Sequence, residues 1–262
     1  MKGSRRGSLT LDYASVAASF DERYRVREYA GIHAWLGRHL RPGERVLDVG
    51  AGTGHWSNAV IARGCHAFGL EPSRAMLLRF NARLPSEPAV QARAEQLPFA
   101  RASFDRIVVI NAIHHFSDTH AFVREAHRVL VPGGTLTSIS LDPSLGLDAW
   151  AIYDFFPRTR TLDIERYPSG TQLRGIFDAA GFERCRTEMV EHIRETVAAN
   201  EALKNNRFGR NTTSQLGLLS DAEYEDGVRA IRTAAERELV RGKTLMIRAS
   251  LRLFATTAGV PG

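Results

Sequence analysis

The stretch "RVLDVGAGTGHW", Arg45 to Trp56, sets three glycines in five positions directly after a run of β-favouring apolar residues. A glycine turn at the end of a strand lets a ligand approach the backbone closely, and the helix that follows offers unpaired N–H groups. The stretch reads as strand, ligand loop and helix, the opening unit of an α/β sheet. Three ligand classes compete for it. A triphosphate loop needs Lys-Ser/Thr after its last glycine, and His55 and Trp56 stand there instead, which excludes it. A dinucleotide loop is spaced GxGxxG, whereas Gly50, Gly52 and Gly54 are spaced GxGxG, and Asp48 ahead of them would repel a pyrophosphate. A carboxylate suits a ligand with a positive centre.

Working outward, seven strand-like runs follow one another. They are 45–50, "HAFGLE" (66–71), "AVQARA" (89–94), "FDRIVVIN" (104–111), "TLTSISL" (135–141), "FERCRTEMV" (182–190) and "LMIRASLRLFAT" (245–256). Helix-like segments "GHWSNAVIARG", "PSRAMLLRFNARL" and "THAFVREAHRVLVPGG" separate the early ones, the last ending on the stop signal Pro132-Gly133-Gly134. Alternation of this kind predicts a doubly wound, Rossmann-like α/β fold: a seven-stranded, mostly parallel sheet with helices on both faces.

Residues 1–12 read as a flexible tail and 13–262 as one domain, with an N-terminal helical cap over 13–40. Two segments exceed a minimal version of the fold and read as helical lid insertions, 142–167 and 192–243. Within the second, Ser220 with Glu223 three residues on predicts a capping box.

The formal charge is +6, carried almost wholly by scattered Arg, since Lys occurs only at positions 2, 204 and 243. No long basic block marks a nucleic-acid surface, so a nucleic-acid partner is not expected. Cys65 and Cys185 make neither a disulfide framework nor a metal pair, and no metal is expected. No apolar run is long enough for a signal or a membrane span, so the expectation is a cytoplasmic protein without a membrane partner.

The pattern Asp48-x-Gly50-x-Gly52-x-Gly54 resembles the first motif of the class I S-adenosylmethionine-dependent methyltransferases. Four more stretches resemble the same family in the same order: "FGLEPS" with Glu71, "ARAEQLPF" (92–99), strand four with its loop (104–116), and "REAHRVLVPGGTLTSIS" (124–140). The closest likeness is to the small-molecule branch that includes ubiquinone and menaquinone biosynthesis methyltransferases. The resemblance implies S-adenosylmethionine as cofactor, S-adenosylhomocysteine as product, and methyl transfer to a small-molecule acceptor by in-line displacement. It further implies that Asp48, Gly50, Ala51, Gly52 and Gly54 hold the methionine and sulfonium region. Glu71 and Pro72 would meet the ribose, Ala94 and Glu95 the adenine, and Asn111 and Tyr24 complete the cofactor site. Many relatives carry Asp where Arg93 stands; Arg cannot accept from the adenine amino group, which passes that contact to the backbone at Ala94 or to Glu95.

His115, and after it His114, are the candidate general bases, against the reading that the pair is structural. Tyr13, Trp150, Tyr153 and Phe156 are the candidate substrate contacts. The lid aromatics among them could equally be an interface in a homo-oligomer. Trp56 reads as either a cofactor contact or packing. Two other functions share these binding motifs: a cofactor-binding scaffold or cyclase that transfers no methyl, and a nucleic-acid methyltransferase. The latter lacks its Pro-Pro-aromatic signature at "NAIHHF".

Overall fold

The structure, a computed structural model, describes Asp21, Tyr24 and residues 27–262. Tyr13 and the first part of the expected cap over 13–40 lie outside the described residues. The cap's last part is helix α1 (Ala30–His39), which buries Ile32, Trp35 and Leu36.

Strand β1 (Arg45–Val49) leads through the glycine loop into α2 (His55–Ile61). Then come β2 (His66–Leu70), α3 (Arg74–Arg83), β3 (Ala89–Val90), β4 (Phe104–Ile110), α4 (Thr119–Val129) and β5 (Leu130–Leu141). The order across the sheet is β3-β2-β1-β4-β5, all parallel. After β5, the short β6 (Ala149–Trp150), α5 (Ala151–Phe155), α6 (Arg158–Arg166) and α7 (Gly170–Ala179) precede β7 (Glu183–Ala198). Helices α8 (Ala199–Lys204), α9 (Ser214–Gly217) and α10 (Asp221–Val240) then lead to β8 (Met246–Gly259), which pairs antiparallel with β5, β6 and β7. The doubly wound α/β reading holds, with eight strands in the sheet among the described residues, one more than the seven expected because of the two-residue β6.

Alternation along the strands builds both faces. Val46, Val108, Ile110 and Ile139 enter one core with α1, α2 and the insertions. Leu47, Val49, Ile107 and Val109 enter the other with Phe122, Val123 and Ala126 of α4 and Leu173 and Phe177 of α7. Helix starts are capped locally: Asp118 accepts from Ala121 N at 2.9 Å, and Ser220 and Glu223 form the expected capping box on α10.

Three element boundaries differ from the sequence reading. "AVQARA" pairs with β2 only through Ala89 and Val90, because β3 is a sheet edge with no strand beyond it among the described residues. Strand β5 already begins at Leu130, and its partner jumps from Leu130 opposite Phe104 to Thr135 opposite Arg106, so Pro132-Gly133-Gly134 is a bulge within the strand. Strand β7 continues to Ala198, so the helical part of the second insertion starts at Ala199 instead of 192. The charges of "EHIRET" obscured it: on an edge strand with one face toward water, such charges are compatible with pairing and discourage further strands from adding.

Both insertions belong to the core. Phe156, 1% exposed, lies beneath α10, where a Cβ on Gly227 would sit 2.1 Å from its ring. Phe208, Leu216, Leu219 and Ile231 join the same cluster as Trp150, Leu162 and Tyr167. Gly227→Ala therefore forces a methyl into a filled site. Overpacking of about 1–3 kcal/mol outweighs the roughly 1 kcal/mol that helix propensity returns. The urea midpoint should fall; a midpoint equal to or above the parent's would mean that the Phe156 contact is loose.

Candidate active site

In a doubly wound sheet the crevice lies at the carboxyl ends of the strands, where neighbouring strands send their connections to opposite faces. Here that point lies between β1 and β4. Parallel register carries three sequence-predicted residues to this edge: Asp48 near the end of β1, Glu71 just after β2 and Asn111 just after β4.

The glycine loop is pinned by its own N–H groups. Gly50 and Ala51 donate to the carbonyl of Leu70 at 2.8 and 3.1 Å, and Gly52 donates to Glu71 Oε2 at 3.0 Å. Glu71 Oε1 also accepts from Ser73 N at 2.8 Å, ahead of α3. Gly50 takes φ +78°, and a Cβ there would lie 2.5 Å from the Ala112 side chain, so the first loop glycine admits the post-β4 turn. Asn111 is also left-handed, at φ +54°, a conformation its side chain tolerates better than most.

Asp48 is 2% exposed and accepts from Ser57 Oγ at 2.7 Å. Burial pushes its carboxyl up to about 7; the Ser57 bond opposes the rise and neighbouring Glu71 adds to it. Burial likewise raises Glu71, against the lowering effect of the Ser73 and Gly52 N–H groups. Among the described residues no Lys or Arg neutralises either group. Two buried carboxylates, held by N–H and hydroxyl donors and lacking a cation, are a donor set that fits a ligand with hydroxyls and a positive centre.

The other predicted cofactor positions fall unequally. Ala51 packs on Phe80 and Leu84, and Gly54 takes φ +82° as the N-cap of α2. Pro72 is exposed and its carbonyl accepts from Gln91 Nε2 at 3.1 Å. The Ala94 side chain is buried in the second core, which leaves its backbone for any ligand contact. Glu95 is engaged elsewhere: its Oε1 accepts from Ser117 N and Oγ at 2.6 and 2.7 Å and from Asp118 N at 3.3 Å, while Oε2 lies 3.5 Å from Arg93. Burial would raise its pKa, yet these hydrogen bonds win and lower it. Its structural task is to tie the segment after β3 to the start of α4.

Tyr24 stacks on His55 at 3.6 Å and meets Trp56 edge-on at 5.9 Å. Trp56 is 3% exposed within the first core and touches Tyr29 and His33 as well, so packing accounts for it. Asp21 accepts from Thr53 Oγ1 at 2.5 Å and pairs with Arg83, which fastens Asp21 to the glycine loop and the end of α3. Neither Arg83, the last residue of α3, nor Thr53 carried a signal of this in the sequence.

The histidine pair splits. His114 is buried, stacked on Tyr167 at 4.0 Å with Tyr167 Oη 3.2 Å from its Nε2. His115 is exposed, and its Nδ1 lies 3.4 Å from Arg166 Nη2. Of the lid aromatics, Phe156 and Trp150 are buried core residues, and Tyr153 donates from its hydroxyl to Asp163 Oδ2 at 2.8 Å. None of the three is placed at the carboxyl edge by these contacts. Asp163 and Arg166 form a polar pair in the first insertion that sequence reasoning missed, because a helix-borne Asp and Arg look like ordinary surface residues.

Residues 47–138 match the family model described as a methyltransferase domain. The chain is 29% identical over 208 residues to a ubiquinone/menaquinone biosynthesis C-methyltransferase, UbiE, of Vibrio campbellii, covering 66% of this chain and 80% of that one. It is 34% identical over 156 residues to a demethylmenaquinone methyltransferase of Beutenbergia cavernae, 60% of this chain and 62% of that one. Among solved structures, the YcgJ protein of Bacillus subtilis superposes with a TM-score of 0.61 at 20% identity, over 89% of this chain and 99% of that one, a likeness of fold.

Asp48 gives this site a measurable signature. Its folded pKa, about 7, stands above the ordinary 3.8, so the free protein holds more protons than the unfolded chain between those values and loses stability as pH rises through them. The full loss, present above pH 7, is on the order of 4 kcal/mol. Asp48→Asn keeps an acceptor for Ser57 and removes the charge. The variant should unfold at higher urea than the parent at pH 8, with the gap closing toward pH 4, and should bind S-adenosylmethionine at least tenfold more weakly by calorimetry. Equal affinity would remove Asp48 from the cofactor site.

Proposed function

Given that the chain is an S-adenosylmethionine-dependent methyltransferase of the class I fold, we propose that its acceptor is a ring carbon of a reduced, hydroxylated aromatic of the quinol type. The observation that supports this reading is the common edge: the Ile113–His115 turn follows β4, the sheet neighbour of the strand that carries Asp48. A relative named as a ubiquinone/menaquinone biosynthesis C-methyltransferase and another named as a demethylmenaquinone methyltransferase support the same acceptor class.

When bound, S-adenosylmethionine supplies an electrophilic methyl group on a positively charged sulfur. Asp48 would hold the positive region, ionising as the ligand's charge offsets the cost of its burial. Glu71, which already holds Gly52 and Ser73, would accept from the ribose hydroxyls. The backbone of the Gly50–Gly54 loop and of Ala94, with Asn111 and Tyr24, would hold the rest. Catalysis then rests on alignment and exclusion of water, which need no covalent group from the protein. A carbon acceptor must be electron-rich, and ring hydroxyls provide that in the reduced state only.

The reading predicts that the enzyme, given methyl-labelled S-adenosylmethionine and 1,4-naphthohydroquinone, yields a product labelled on a ring carbon, and that the oxidised 1,4-naphthoquinone yields none. Label recovered on oxygen, or equal turnover of both redox forms, would displace a quinol carbon as the acceptor.

A further inference from the structure

The Asp163 and Arg166 group reaches from the interior of the first insertion to the edge of the crevice. Asp163 is fully buried and takes two hydrogen bonds on Oδ2, from Tyr153 Oη at 2.8 Å and Gln215 Nε2 at 2.7 Å. Its Oδ1 lies 4.0 Å from Arg166 Nη1. The other nitrogen of that guanidinium, Nη2, lies 3.2 Å from Ser214 Oγ and 3.4 Å from His115 Nδ1. Helix α6 thus supplies Asp163 and Arg166, α9 supplies Ser214 and Gln215, and the turn after β4 supplies His115. Two insertions far apart in sequence converge on one imidazole.

A guanidinium carries donors and no acceptor. The imidazole nitrogen that faces it must therefore be the one without a proton, and in the neutral ring the proton then sits on Nε2. A general base needs its lone pair toward the proton it removes, and an N–H cannot serve. We infer that Arg166 is a positioning residue that fixes His115 as the Nε2–H tautomer, so that His115 donates a hydrogen bond to an oxygen of the acceptor and removes no proton. The acceptor class follows, resting on the quinol reading above: a quinol ionised at one oxygen, which accepts from His115 Nε2–H; its ring carbon would form the new C–CH3 bond as the S–CH3 bond breaks, and the proton on that carbon then leaves to water to restore the aromatic ring.

Three features make Arg166 suited to this. Its position at the C-terminal end of α6 favours a cation. Asp163 provides a counter-charge at fixed distance, itself locked by Tyr153 and Gln215. The aromatic floor of Trp150, Phe156 and Tyr167 keeps the helix from shifting.

The tautomer is readable without any acceptor, which separates this inference from the quinol assignment. In protein labelled with 15N-histidine, two-bond 1H–15N spectra, with the His115 signals identified by their loss in His115→Gln, should show Nδ1 unprotonated and Nε2 protonated. Arg166→Met should shift that pattern toward a mixture of tautomers, and Arg166→Lys, a donor only, should retain it. A protonated Nδ1 in the parent enzyme, or a pattern unmoved in Arg166→Met, overturns the inference.

Turnover of 1,4-naphthohydroquinone supplies the second arm. His115→Gln keeps a donor and should stay within a few-fold of the parent. His115→Ala should lose roughly tenfold to a hundredfold, the range for a hydrogen bond to a charged group. Equal, large losses in both variants, with S-adenosylmethionine affinity unchanged, would restore the base role and sink the donor role. If naphthohydroquinone is not turned over by the parent while the spectra are as stated, the acceptor assignment fails and the positioning role stands.

Discussion

The attachment of the glycine loop to the end of β2 is the constraint on which the site depends. Gly50 and Ala51 share the carbonyl of Leu70, and Gly52 hangs from Glu71. A loop satisfied this way has no slack, so the residues on either side, Asp48 before it and the start of α2 after it, have fixed positions. The same bonds also orient Glu71. One set of N–H groups therefore shapes the loop and aims the carboxylate, and the parallel register of β1 with β2 and β4 brings Asn111 to the same edge. The cost appears at Asp48, whose burial without a cation leaves a carboxyl that resists ionising in the free protein. A site built for a positive ligand is least comfortable without one.

This part of the molecule was legible in the sequence because it is local. Strand, loop and helix follow one another within about a dozen residues, glycines mark the left-handed positions, and carboxylates stand at strand ends where the fold faces ligand. The sequence order of the parallel strands could be read from the alternation of runs. Where a boundary was misread, the reason is physical. Strand β7 continues through Glu191, His192 and Arg194 because one face of an edge strand is solvated, so its charges mask a pairing that β8 supplies. "AVQARA" has the composition of a strand throughout, yet beyond Val90 no neighbouring strand pairs with it.

The acceptor side was far less legible, because it is assembled from separations that no local pattern records. Asp163 meets Gln215 across 52 residues, and Arg166 meets His115 across 51. Nothing about an Asp and an Arg three apart on a polar helix announces that one is wholly buried. Trp150, Tyr153 and Phe156 were conspicuous for their aromaticity, and the inference from composition to pocket was natural. Their contacts serve the core: Phe156, buried, fills the space that Gly227 leaves, and Tyr153, half-buried, spends its hydroxyl on Asp163. Glu95 carried a similar lesson, since its carboxylate is taken up by Ser117 and Asp118.

The two insertions therefore function as foundation more than as flap. A lid that opens must leave its apolar face exposed or re-bury it, and here that face is shared with the sheet: Leu216, Leu219 and Ile231 sit in one cluster with Val46, Ile110 and Leu253. Moving such a segment would expose core and cost more than a loop closure ordinarily does. Rigid support suits a reaction in which the protein's contribution is alignment, because an error of an ångström at the acceptor atom is not corrected by any later covalent step.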